Sequence, residues 1–192
     1  MDHDDIPADA EEFAAAVDDI TLTPDQHERL KDTVYTAARL QTFRTHDSRY
    51  LVAGAGANAP GDRYDRRVAV RDHLDARPDA TALFLEDLGL GREELDLWFR
   101  TFDILCGEAT AVVAVIEAHD GGVVAELGCI GQFEHRAKGW VLKRVYADDA
   151  TADDRYTNPM AASIVAELAG VGRVLEWTDR SDLLTKTRNL DN

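Results

Sequence analysis

Apolar residues along the chain fall into five short runs, separated by longer stretches with helical spacing. The runs are Tyr50–Ala55 (YLVAGA), Thr81–Leu85 (TALFL), Ala111–Ile116 (AVVAVI), Trp140–Val145 (WVLKRV) and Arg173–Trp177 (RVLEW). The third is apolar throughout, the pattern of a strand covered on both faces in the middle of a parallel sheet. Between the runs, the spacing predicts helices over Tyr64–Arg77, Arg92–Cys106, Val123–Arg136, Met160–Ala169 and Asp179–Arg188. In the first of these, Val68 and Leu74 point inward and Arg66, Arg67, Arg71 and Asp75 outward. In the second, Leu95, Trp98, Phe99, Phe102 and Leu105 share a face and are read as core. Residues 146–158 are polar and read as a loop.

Ahead of the first strand, residues 1–22 are acidic and alanine-rich, with a short helical pattern at Glu11–Val17. A better-marked helix begins at Thr23-Pro24, where threonine suits the cap and proline the first helical position, and continues to about Phe43. Five strands alternating with five helices through right-handed crossovers define an α/β class, a doubly wound three-layer sandwich. The expected sheet is five-stranded and parallel, in the flavodoxin-like order 2-1-3-4-5. Residues 1–46 are expected to form a helical arm on the α/β domain of residues 47–192, packing on it or on a second subunit.

Composition narrows the setting. With 192 residues, 45% of them hydrophobic, the chain is long enough for one such domain and an appendage. No apolar run approaches the roughly 18 residues of a membrane helix, and the acidic start matches neither a secretory signal nor a transit peptide. The expectation is a soluble cytoplasmic protein without a membrane partner. Cys106 and Cys129 lie in apolar segments and read as small buried hydrophobes rather than a disulfide framework. The 37 acidic residues outweigh 21 basic ones, for a net charge of −16, and only Lys31, Lys138, Lys143 and Lys186 are lysines. Acid spread along every segment, with lysine scarce, resembles proteins of salt-accumulating halophiles more than a nucleic-acid mimic with one acidic face. No basic patch is visible, so no direct nucleic-acid partner is expected.

The candidate chemistry sits where the third strand ends. Ligands of open α/β sheets bind beyond the carboxyl ends of the strands, and there the chain reads Asp120-Gly121-Gly122, followed by Glu126. The two glycines permit a tight turn and leave the first N–H groups of the next helix open to a ligand. A shielded carboxylate at Glu126 suits a nucleophile toward a sugar anomeric carbon. The alternative is helix capping, in which Asp120 and Glu126 complement the helix dipole. Gly54-Ala55-Gly56 with Ala59 formally matches G-x-G-x-x-A. However, Pro60-Gly61-Asp62 follow, and the first acidic pair, Glu86-Asp87, comes about thirty positions on rather than roughly twenty. What remains is a backbone that a ligand can approach closely.

Other chemistry leaves weaker marks. The six histidines show no metal spacing, and His119 reads as a solvated loop residue. Arg63, Arg66 and Arg67 read as a solvated helix face, with a phosphate grip as the alternative. No metal and no cofactor is expected.

The stretch FDILCGEATAVVAVIEAHDGGVVAELGCIGQFEHRAKGWVL resembles the core of the nucleoside 2-deoxyribosyltransferase family. The shared pattern is a helix bearing an aspartate, an apolar strand, D-x-G-x-x-x-E-x-G, and a helix leading to a further strand. The resemblance covers about Tyr50 to Val145 and includes the AGAG of the first strand. It implies Glu126 as nucleophile, Asp120 as the sugar-positioning partner, and Gly128 as a glycine admitting close packing. Asp103 falls near the carboxylate that handles the base, and Gly54, Gly56, Gly121, Gly122 and Gly128 are expected near the substrate. A tyrosine that some members place on the first strand corresponds here to Val52, with Tyr50 and Tyr64 as the alternatives for its role. The architecture is shared with nucleotide N-glycoside hydrolases and TIR-type NAD-cleaving domains. The expected function is therefore N-glycosidic cleavage or transfer on a small-molecule nucleoside or nucleotide, by a homo-oligomer. A catalytically silent nucleotide-sensing or protein-interaction domain of the same fold is the alternative.

Overall fold

The computed structural model describes residues 23–90 and 95–190. The expected sandwich is present: five strands, all parallel, in the order 2-1-3-4-5. The strands are β1 (Ser48–Gly54), β2 (Ala80–Leu83), β3 (Ala111–Ile116), β4 (Gly139–Arg144) and β5 (Val174–Trp177). β1 and β3 are neighbours with Tyr50 opposite Ala111 and Gly54 opposite Val115.

Alternation along the strands explains why β3 has no polar position. Val112, Ala114 and Ile116 join the core on one face with Leu51 and Ala53. Ala111, Val113 and Val115 join the core on the other with Tyr50 and Val52. Helices cover both faces, so each parity of a central strand is taken out of water. α3 (Arg63–Asp75) and α9 (Arg180–Thr187) pack against each other on the second face. The first face carries α1 (Pro24–Thr36), α2 (Ala38–Arg44), α4 (Leu95–Glu108), α5 (Gly122–Ile130) and α8 (Pro159–Gly170).

Several boundaries differ from the sequence reading. The Thr23–Phe43 helix breaks at Ala37, whose ψ of 112° is extended backbone. The break lets Val34 of α1 and Leu40 and Phe43 of α2 all reach the core. Thr23 does cap α1, in a capping box with Gln26. Arg44 locks the pair down: its guanidinium donates to Glu108 at 2.8 and 2.7 Å and to the Val34 carbonyl at 3.0 Å. The described part of the expected arm is thus integral to the core. The pattern at Glu11–Val17 and the start of the Arg92 helix lie outside the described residues.

The Val123–Arg136 helix is two, α5 and α6 (Phe133–Arg136), separated at Gly131. The expected loop 146–158 contains α7 (Asp149–Arg155), capped by Asp148. Cys106 and Cys129 are buried free thiols. Among the described residues, no helix is long and apolar enough to cross a membrane.

Candidate active site

β1 ends at Gly54 with a φ of +135°, and a Cβ there would lie 2.5 Å from the Val115 carbonyl oxygen. Only glycine can close the strand this way. The Gly54 N–H leaves the sheet ladder and donates to Glu126 Oε2 at 2.9 Å, across 72 positions of sequence. Glu126 is the fifth residue of α5, which starts at Gly122 behind Gly121 (φ +58°). Among the described residues, its other carboxylate oxygen accepts no hydrogen bond. Burial pushes the Glu126 carboxyl from 4.5 up to about 7, with Glu86 adding to the rise; the Arg67 charge and the Gly54 N–H pull the other way.

In front of Glu126 lies a crevice of about 600 Å³, with Gly54, Gly56, Arg67, Glu86, Trp98 and Gly122 in its walls. An adjoining recess of about 310 Å³ is lined by Gly54, Gly56, Arg63, Asp120, Gly121 and Gly122. Both open at the carboxyl ends of β1 and β3, where the strand order reverses direction. Of the five glycines expected near substrate, Gly54, Gly56, Gly121 and Gly122 border this space and Gly128 does not.

Neither carboxylate makes a capping hydrogen bond to α5. The N-terminus of α5 has no side-chain cap, and Asp120 instead accepts two hydrogen bonds from the Arg63 guanidinium at 2.9 and 2.7 Å. That pairing holds the Asp120 carboxyl below the usual range, while 54% of its side chain stays exposed.

The arginines expected on a solvated face are inside. Arg67 is 1% exposed; its guanidinium donates to Glu86 at 2.6 and 2.9 Å and to the carbonyls of Val52 and Ala55, and stacks 4.1 Å over the Phe84 ring. Arg66 grips the buried Glu117 at 2.7 and 2.8 Å, and Arg144 holds the same carboxylate at 2.7 Å. A signal was available in the sequence: Arg63, Arg67, Val70 and Leu74 fall on one helical stripe, and all four are buried. Glu86, in the 3-10 turn Leu85–Leu88 that follows β2, enters the sequence reading only as half of an acidic pair too far along the chain for a dinucleotide site.

Two expected residues are elsewhere. Asp103 of α4 does not border the crevice; its Oδ1 is hydrogen-bonded 2.7 Å from His135 Nε2, and 48% of the side chain faces water. A Cβ on Gly128 would meet nothing within 4 Å, so close packing does not require glycine there. His119 is not solvated but buried against Tyr156, edge to face at 5.0 Å, and burial lowers its pKa. Phe99 is 52% exposed rather than core, and Trp98 is half-buried in the crevice wall.

Among the described residues, no group of three or more His, Cys, Asp or Glu side chains is placed to hold a metal. The model of a protein family described as a family of unknown function (DUF8170) matches residues 1–190. No curated protein and no solved structure matches the chain.

Proposed function

The chain belongs to the family of unknown function DUF8170, and we propose that it cleaves or transfers at an N-glycosidic bond of a nucleoside or nucleotide, with Glu126 as nucleophile. One observation carries the reading: the Glu126 carboxylate fronts a crevice large enough for a glycoside, with one oxygen oriented by the Gly54 N–H and the other unclaimed by the described residues. An oxocarbenium-like transition state at C1′ needs a fixed anion close to the sugar and little else from the nucleophile.

In this scheme the sugar lies in the crevice and Glu126 attacks C1′ as the base departs. The resulting ester is taken up by water or by a second acceptor. Asp120, oriented by Arg63, accepts from sugar hydroxyls with the lone pairs that Arg63 leaves free. Arg67, pinned by Glu86 and two carbonyls, supports the anionic form of Glu126 electrostatically. Asp103 has no part, because it does not border the crevice.

The test is release of free base from a panel of nucleosides, deoxynucleosides, nucleotides and NAD at high salt. We expect release from at least one member, lost by about 10³-fold or more in Glu126→Ala and Glu126→Gln. Release that is unchanged in both variants removes Glu126 from the mechanism.

The separation of Asp103 from the crevice favours a second reading, a domain that binds a nucleotide without turning it over. Stabilisation against heat by a nucleotide, with no base released, would single that reading out.

A further inference from the structure

A slot of about 230 Å³ opens beside the crevice, against α4, and shares Trp98, Gly122 and Glu126 with it. Its walls are the rings of Trp98, Phe99 and Phe102, with Leu85 and Ala125. Glu126 is the one ionisable side chain among the described residues that line it. If the sugar occupies the crevice, its leaving group falls in this slot.

A neutral base leaves either as an anion, which needs solvation, or after protonation, which needs an acid. Among the described residues the walls supply no acid and, beyond the Trp98 indole N–H, no donor to an anion, and Glu126 cannot donate a proton while attacking as an anion. A ring that already bears positive charge has neither need. Glu126 Oε bonds to C1′, the C1′–N bond breaks, and its electron pair returns to the ring nitrogen and neutralises the ring. A carboxylate and a cation become an ester and a neutral heterocycle, and water then hydrolyses the ester to sugar, carboxylate and one proton. The walls favour the cation as well, because aromatic faces attract positive charge. In addition, the nearby carboxylates of Glu126 and Glu86 outnumber the single Arg67 guanidinium.

Resting on the assignment of Glu126 as nucleophile, we infer that the slot receives a cationic planar heteroaromatic leaving group, so that the preferred substrates are N-glycosides of quaternised rings, such as N7-alkylated purines and pyridinium compounds.

The experiment compares kcat/KM for 7-methylguanosine and guanosine, which share the sugar and nearly the same ring, and repeats both with Glu126→Ala. The expected ratio is about 10³ or more in favour of the cation, since an enzyme that protonates its leaving group compresses that ratio. Alongside, 1-methylnicotinamide should raise the melting temperature while neutral nicotinamide does not. That shift should shrink severalfold in Trp98→Leu and in Phe99→Ala, the latter at a position half exposed to solvent. Guanosine cleaved within tenfold of 7-methylguanosine, with release dependent on Glu126, overturns the cationic preference and leaves the nucleophile standing. Release from neither compound, nor from a pyridinium riboside, by an enzyme that frees a base from another member of the panel overturns the cationic preference alone, and release from no member of the panel overturns both. Equal stabilisation by nicotinamide and its methylated cation removes the slot as the origin of any preference.

Discussion

The last amide of β1 and the carboxylate of Glu126 are joined by a 2.9 Å hydrogen bond, so the strand terminus and the proposed nucleophile are positioned by one contact. Gly54 can make it because its backbone turns to a φ of +135° immediately beside the Val115 carbonyl.

Gly54→Ala is therefore expected to be severe. Its Cβ would meet a backbone oxygen at 2.5 Å in a conformation that alanine rarely adopts. A loss of about 3 kcal/mol or more follows from strain and displacement of β3. At Gly56 nothing lies within 4 Å of a built Cβ, and Gly56→Ala should stay within about 1 kcal/mol of the parent. Urea unfolding of both proteins checks the contrast; equal midpoints would contradict the strand-end geometry.

Glu126 makes stability depend on pH. Its carboxyl is raised from 4.5 to about 7, so the folded state holds that proton more tightly than the unfolded chain. The contribution is fully present below about pH 4.5 and is lost as pH rises through about 7. Above that, ionising Glu126 costs up to about 3 kcal/mol. Glu126→Gln, which keeps an oxygen for the Gly54 N–H, should match the parent near pH 4.5 and exceed it by about 2 to 3 kcal/mol at pH 8 to 9. Denaturant titrations at the two pH values read this directly, and a difference independent of pH would refute it.

Arg67 supplies both structure and charge. Removing it in Arg67→Met takes the guanidinium from the Val52 and Ala55 carbonyls and from Glu86, whose side chain is 36% exposed, at a cost of about 1 to 3 kcal/mol. The same change takes away the positive charge that holds the Glu126 carboxyl down, so its titration should move above 7. A carboxyl-carbon NMR titration of Glu126, run in stabilising salt, separates this from a purely structural loss. An unchanged midpoint would show that Arg67 has no electrostatic hold on Glu126.

Much of the fold was readable because hydrophobic burial writes itself into local sequence. The all-apolar β3 reflects two covered faces, and Thr23-Pro24 marks a helix start by local chemistry alone. The break at Ala37 left no such trace: alanine favours helix, and the chain departs from it so that Val34, Leu40 and Phe43 can dock together. Glu126 was visible from its setting at a strand end. Arg67 was read outward because charge was weighed above its place on the stripe of Val70 and Leu74. Asp103 illustrates the other limit, since its pairing with His135 depends on how α4 and α6 meet, a relation between segments that neither segment encodes by itself.

Residues 56–59 carry neither strand nor helix, yet they form one side of the space before Glu126. The work of shaping what enters is thereby separated from the work of holding the sheet together. Mutations can accumulate in this segment, and residues can be added to it, while the anchored carboxylate and its amide donor stay fixed. A lineage, or an engineer, can retune selectivity there with little risk to foldability.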